Sequence, residues 1–280
     1  MSRTYEDRLV RVLAHIEANP DGDLSLDALA EVAAMSRFHW HRVFVAVTGE
    51  TLSAAIRRSR LYRAAGDLVN SDLALSAIAE RAGYGSARSF ARAFRHVFGT
   101  TPGAFRREGR LLPLKLKHRQ GDYPMYPIDI ETCPGYRLGA VAHTGAYTSI
   151  GGGFDRLSAM MSARGLWPQV RGMVGVYYDD PDAVAEAELR SHAGVILADG
   201  MEIPEGLEDV RVDPGPVAVM RYKGPYSGLH AAYKHLYGTW LPASGREPRD
   251  APPFEIYRNS PQDTKPEDLL TDVHVPIMTA

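Results

Sequence analysis

A chain of 280 residues with 45% hydrophobic content and a single cysteine, Cys133, is long enough for two ordinary cores and excludes an intrachain disulfide framework or a Cys-rich zinc module. No run approaches the ~18 apolar residues of a membrane span, and Met1 to Asp7 lack the apolar core of a signal peptide, so a soluble, cytoplasmic protein is expected. The net charge of −2 hides an asymmetry: the first 120 residues hold 19 Lys/Arg against 12 Asp/Glu, the remaining 160 hold 13 against 22. A basic front suits a polyanion and an acidic rear suits something neutral or cationic; solvated charge on two domains is the competing account.

The front half repeats itself. Residues 26–52 recur about 49 positions later: Leu26, Leu29, Ala30 and Ala33 match Leu75, Ile78, Ala79 and Ala82, both sets at the i, i+3, i+4, i+7 spacing of a buried helix face. After one extra residue in the second copy, Trp40, Val43, Phe44 and Val47 match Phe90, Ala93, Phe94 and Val97. The connections Ala34-Met35-Ser36 and Gly83-Tyr84-Gly85-Ser86 are short, with Ser36 and Ser86 placed as N-caps. Each copy reads as helix, tight turn, helix. The second helix turns basic or polar residues away from its apolar face: Arg37, Phe38, His41 and Arg42 in one copy, Arg88, Ser89, Arg92 and Arg95 in the other. A major groove admits such a helix. For one copy alone a helical bundle with solvated arginines would serve as well. Duplication favours DNA reading, because a joining helix with Leu61, Ala64, Ala65 and Leu68 on one face would hold two reading helices for groove faces ~34 Å apart, a bipartite double-stranded site. His39 and His41 fall on different faces and form no metal pair.

The stretch from Gly83-Tyr84-Gly85-Ser86 through Phe90, Phe94, Gly99, Thr101-Pro102 and Phe105 to Arg107 resembles the signature of the AraC/XylS family of transcription regulators. The resemblance covers roughly residues 5–110 and implies an all-α domain, residues 1–110, of two helix-turn-helix units. Carried over by position, the base- and backbone-facing candidates are Arg37, Phe38, His41 and Arg42, then Ala87, Arg88, Ser89 and Arg92. Phe105 stands where the family commonly has tyrosine, at a packing position.

Basic residues mixed with Pro113, Pro124 and Pro127 read as a linker, residues 111–122, leading into a second domain, 123–280. This domain also repeats, at an offset near 80. His143 to Tyr147 recurs as Tyr222 to Tyr226, and Val176 to Pro181 as Ile256 to Pro261. Each copy reads as strand, helix and two strands, with helices near 153–164 and 227–240. Two copies predict an α+β domain with an antiparallel sheet, a pseudo-twofold axis and a central cleft for a small molecule. Tyr147 pairs with Tyr226, Trp167 with Trp240, and Tyr177 with Tyr257, all placed to line it. Glu255 has Gly175 as its counterpart and shares a strand face with Tyr257. An acid among aromatics suits an organic cation; an exposed acid and ordinary core aromatics remain the alternative. Gly151-Gly152-Gly153 lacks the Lys-Ser/Thr of a phosphate loop and reads as a turn.

The run Pro252-Pro253-Phe254-Glu255-Ile256-Tyr257, with Gly224-Pro225-Tyr226 and Thr271 to Pro276, resembles the GyrI-like effector-binding domain found behind AraC-type DNA-binding domains in multidrug-responsive regulators. That resemblance places an acid at Glu255 in a central pocket. It implies a one-component regulator in which a small amphipathic or cationic effector alters DNA binding, or RNA polymerase contact, by the front half. No metal-ligand set, cofactor or catalytic residue is expected. Two alternatives stay open: hydrolysis of reactive small molecules, with Glu255 activating water beside Tyr147 or Tyr257, and binding of a protein partner. The tandem units suit DNA binding by a monomer, and dimerisation through the rear domain stays open.

Overall fold

The computed structural model describes residues 3–20, 22–109 and 126–279; the expected linker, 111–122, lies outside them. Seven helices build the front half: α1 (Arg3–Ala18), α2 (Leu26–Ala33), α3 (Trp40–Thr48), α4 (Leu52–Asn70), α5 (Leu75–Arg81), α6 (Ala87–Phe98) and α7 (Pro102–Glu108). Hydroxyl caps start four of them. Ser25 accepts from the Ala28 N–H (3.3 Å), Thr51 from Ala54 (3.3 Å), Ser86 from Ser89 (3.1 Å) and Thr101 from Ala104 (3.2 Å), each satisfying a donor left over in a first turn. The pairs α2–α3 and α5–α6 are the two helix-turn-helix units, and α4 joins them.

The second unit closes its own core, in which Leu61, Ala64 and Leu68 of α4 meet Ile78, Phe90, Phe94 and Phe105. The first unit does not. Leu29, Trp40, Phe44 and Val47 share one continuous apolar core with Met220, Tyr222, Leu236, Tyr237 and Leu241 of the rear half. This sharing explains a departure from the expected capping: residues 37–39 form a turn, and α3 begins at Trp40 without a side-chain cap. The Ser36 hydroxyl is instead drawn across the seam, donating to Asp250 at 3.0 Å while accepting from the Phe38 N–H at 3.3 Å.

The rear half is two five-element copies. The first is β1 (Ile128–Cys133), β2 (Tyr136–Thr144), α8 (Gly151–Ala163), β3 (Val170–Tyr177) and β4 (Arg190–Leu197). The second is β5 (Glu208–Val212), β6 (Gly215–Lys223), α9 (Leu229–His235), β7 (Phe254–Tyr257) and β8 (Leu270–Pro276). After α9 the chain passes through a π-helical turn, Leu236–Trp240, into α10 (Leu241–Ser244). One antiparallel sheet runs β1-β6-β8-β7-β3-β4-β2-β5, with the pseudo-twofold axis between β7 and β3. Each copy is one strand longer than the sequence comparison indicated, and the leading strands are exchanged: β1 pairs with β6 and β5 with β2.

Only Pro134-Gly135 separates β1 from β2, and only Asp213-Pro214 separates β5 from β6, although these strands stand at opposite ends of the sheet. The sheet must therefore curl until its ends approach. Alternate residues fill the inside of the curl, among them Cys133, Leu138, Val174, Val176, Val219 and Phe254. The opposite parity receives the helices: Leu157 and Met161 of α8 pack on Val195 and Leu197, while Ala232 and Leu236 pack near Ala218, Met220 and Val275. The three glycines expected as a turn form the first turn of α8. A Cβ on Gly153 would come within 3.0 Å of the Ala193 Cβ, so the helix owes its close approach to the missing side chain. Among the described residues no helix is long and apolar enough to cross a membrane.

Both helix-turn-helix turns need a left-handed residue. Gly83 supplies it in the second unit (φ 79°), but Ala34 holds the same position in the first (φ 50°), where a Cβ costs about 1–2 kcal/mol. Ala34→Gly is expected to stabilise the protein by roughly 1 kcal/mol after glycine's larger unfolded-state entropy is deducted. A urea titration in which the midpoint falls would contradict this.

Candidate functional site

The α6 helix is open. Its Phe90 and Phe94 are fully buried while Arg88, Arg92, Arg95 and His96 are exposed, lining a shallow surface groove together with Ala91. Arg88, Arg92 and Arg95, four and three residues apart, lie along one helical face. Ala87 and Ser89 are half-buried at its start, and the Ser89 hydroxyl is tied to the cap, donating to the Ser86 carbonyl at 2.9 Å.

The α3 helix is not open. Arg37 is exposed with its guanidinium 4.7 Å from the Phe38 ring centroid, and Phe38 is half-buried. The other two candidates of the first unit face the rear domain. His41 is buried, its Nδ1 2.7 Å from Asp180 Oδ2, while its Nε2 accepts the Leu52 N–H at 3.3 Å. An accepting Nε2 leaves the proton on Nδ1, which donates to the carboxylate. Burial works against the Asp180 charge, but the His41 bond and the Arg42 charge outweigh it and hold its carboxyl below the usual range. Arg42 donates to the Asp179 carbonyl at 2.6 Å. Burial opposes its charge too, yet Tyr237, Asp180 and Tyr233 keep it firmly protonated. His39 is buried beside them, with Nδ1 2.7 Å from the Tyr237 hydroxyl and Nε2 2.9 Å from the Ala251 carbonyl. Burial, then the Arg42 charge, push it down to about 3, so the ring is neutral. His39, His41 and Arg42 are thus engaged by the rear domain, while Arg37 stays exposed.

Between α8 and α9, on the outer face of β3 and β7, lies a cavity of about 1070 Å³. Its floor is Glu255, 3% exposed. Tyr233 donates to one carboxyl oxygen at 2.9 Å and Tyr257 to the other at 2.9 Å, with the Tyr177 hydroxyl 2.6 Å from that of Tyr257. Burial raises the Glu255 pKa to about 7, against the lowering pull of the three tyrosine hydroxyls and of Arg42. Burial and the Glu255 charge in turn hold Tyr177, Tyr233 and Tyr257 well above their usual values, so they remain neutral donors. Glu255 pairs directly with Gly175 across the β3–β7 ladder. A Cβ on Gly175 would lie 2.7 Å from the Tyr257 hydroxyl and 2.9 Å from that of Tyr177, so a second carboxylate has no room there.

Of the residues expected to line a cleft, Glu255, Tyr147, Trp167, Tyr177, Tyr226 and Tyr257 border the cavity. Trp167 and Tyr226 remain 40% and 38% exposed, which places them at its mouth. Trp240 does not border it; it packs against the core shared with the front half. The reason is register: Tyr147 and Tyr226 stand 79 apart, whereas Trp167 and Trp240 stand 73 apart. The true offset would have shown what was missed, since Phe154 and Tyr233, also 79 apart, both line the cavity. Arg42, Val45, Ala46 and Tyr237 border it as well, and no comparison of the rear half with itself could have supplied the first three.

Residues 126–278 match a family described as a GyrI-like small molecule binding domain, and residues 29–108 match a helix-turn-helix domain family. The Transposon Tn10 TetD protein of Escherichia coli is 36% identical over 120 residues, which are 41% of this chain and 86% of that protein. The regulatory protein SoxS of Escherichia coli K12 is 35% identical over 95 residues, 34% of this chain and 89% of that one. Among solved structures, an EcmrR–DNA complex aligns with a TM-score of 0.45 at 15% identity, over 55% of this chain and 58% of that one.

The raised Glu255 pKa has a thermodynamic sign. In the unfolded chain this carboxyl titrates near 4.5, in the folded protein near 7, so folding takes up a proton between those values. Its contribution is fully present below pH 4.5 and is lost as pH rises through 7. Glu255→Gln is therefore expected to match the parent in stability near pH 4.5 and to exceed it at pH 8 by up to about 3 kcal/mol, read as a raised Tm. Equal Tm differences at both pH values would show that burial of the charge costs nothing.

Proposed function

Because this chain belongs to the family of GyrI-like small molecule binding domains and carries an AraC-type helix-turn-helix domain ahead of it, we propose that it is a one-component cytoplasmic transcription regulator whose effector is an amphipathic organic cation. Residues 1–110 read DNA, 111–122 link, and 123–280 bind the effector. The observation that carries this reading is Glu255: a buried carboxylate bonded by tyrosine hydroxyls, with no salt bridge to a cationic side chain among the described residues. A bound cation supplies the missing counter-charge, and the rings around it supply cation–π attraction in a site where water competes poorly. The rest of the lining agrees in sign, with Asp155, Asp180, Asp182 and Glu186 against Arg42 and Lys234.

Cation binding selects the ionised form of Glu255. Affinity for a lipophilic cation is expected to rise with pH, falling about tenfold per unit below pH 6 and levelling above 8, whereas a neutral analogue of the same shape shows no such slope. Calorimetry at four pH values decides this; a flat profile for the cation removes Glu255 as counter-charge.

On the DNA side, Arg88 and Arg92 of α6 are the groups that reach the major groove. With duplexes selected from a random library by the full chain, Arg88→Ala and Arg92→Ala are each expected to weaken binding by about 1–3 kcal/mol for a lost base contact, or to lower the log–log salt slope by about one for a lost phosphate contact. Neither change in either variant would take α6 out of the interface.

Hydrolysis of a reactive small molecule is the second reading, favoured by the same carboxyl: a Glu poised near 7 and held by neutral hydroxyls is a competent base for water. Incubation with a mixed panel of lipophilic cations and electrophiles, followed by mass analysis, separates the two. Unchanged ligand retained by the parent supports sensing; a product formed by the parent and absent with Glu255→Gln supports hydrolysis.

A further inference from the structure

Arg42 belongs to two sites at once. By sequence position it lies on the DNA-facing side of the first reading helix. In the structure its guanidinium stands 5.6 Å from the Tyr233 ring centroid and 5.7 Å from that of Tyr237, and it forms part of the cavity wall. The two rings are parallel, 6.2 Å apart at 9°. Tyr233 carries the field of Glu255 through its hydroxyl bond, and Asp180 adds a second carboxylate. Stacked tyrosines backed by carboxylates are the surroundings an organic cation requires.

We propose that Arg42 is the tethered resident cation of this cavity, and that an exogenous organic cation takes its seat, withdrawing α3 from the rear domain so that it can enter DNA. This rests on the cation-binding reading above. Two positive charges cannot share the Tyr233–Tyr237 wall at low dielectric, so ligand and Arg42 compete. Two of the other bonds from this helix and its leading turn to the rear domain run through the same wall or its rim, while the His39 bond to the Ala251 carbonyl and the Ser36 bond to Asp250 lie beyond it. Tyr237, against which the ligand would stack, holds His39 at 2.7 Å, and Asp180, on the cavity rim, holds His41. On the far side of the seam the π-helical turn brings Gly238 so near that a Cβ there would lie 2.8 Å from the Ala46 Cβ and 3.1 Å from the Ala46 carbonyl. Such irregular turns are frequent where a helix must present a functional side chain, here Tyr237. A ligand with differential affinity for the seated and unseated states is the condition for coupling, and competition for one seat provides it.

The test uses the full chain, tetraphenylphosphonium as the cation and triphenylphosphine oxide as its neutral analogue. Arg42→Gln removes the resident charge. Gly238→Leu keeps that charge but forces α3 away, and Gly238 does not border the cavity. Both variants are expected to bind the cation about tenfold more tightly than the parent, because the fraction of molecules with a vacant seat rises. In the parent, saturating cation is expected to speed backbone hydrogen exchange of residues 37–48 about tenfold, with no change in residues 87–98. Tighter binding by Arg42→Gln alone would reduce the effect to charge repulsion and overturn the exchange of seats, as would unchanged exchange in residues 37–48 at saturation. Equal cation affinity in all three proteins overturns this inference and leaves the cation site standing. Failure of all three to prefer the cation over the oxide overturns the cation reading and this inference with it.

Discussion

The register of β3 against β7 governs the rear domain. Antiparallel pairing across a pseudo-twofold axis sets Gly175 opposite Glu255, and the two flanking tyrosine hydroxyls occupy the space a second side chain would need. One copy yields volume so that the other can bury a charge. Shift the register by one residue and Glu255 would turn into the apolar inside of the curl among Val174, Val176 and Phe254, where no hydroxyl waits for it.

Burial in this cavity is balanced rather than minimised. Burial pushes the carboxyl up, three tyrosines hold it ionisable, and the result is a group whose pKa lies near 7. The seam with the front half follows the same chemistry at greater strength. His41 and Arg42 keep Asp180 charged despite its burial, and His39 stays neutral because it is buried and the same Arg42 charge sits beside it. Cavity and seam share Arg42, Asp180 and Tyr237, so the electrostatics of ligand binding and of α3 docking are one problem.

Much of this was legible in the chain. Helical spacing exposed both helix-turn-helix units, since a buried face recurs every three to four residues whatever the tertiary setting, and the offset near 80 exposed the duplicated rear domain. What escaped were features set by long-range packing. The exchange of β1 and β5 leaves no local mark, because both strands read as ordinary short segments. Trp240 was paired by residue type across a gap in the offset, and packing sent it elsewhere. The greatest gap was α3: its polar residues read as those of a DNA-facing helix, and nothing near them in sequence announces the bonds that His39, His41 and Arg42 make to residues 179–180 and 237–251. Ala34 is a smaller trace of the same kind, an L-residue held in a turn where its counterpart is glycine.

The exchanged arms bear on origin. Strands that leave their own unit to complete the sheet of a symmetric neighbour are the geometry of an arm-swapped homodimer with a self-complementary interface, and here both partners lie on one chain. In such an ancestor, position 175 and position 255 would have been the same residue facing itself across the axis. Two glycines would leave no counter-charge, and two glutamates would force like charges into a space that holds one. With both copies on one chain, the two positions are free to differ. The single acid at the centre is thus an arrangement that two identical copies facing each other cannot present, since it needs glutamate in one and glycine in the other.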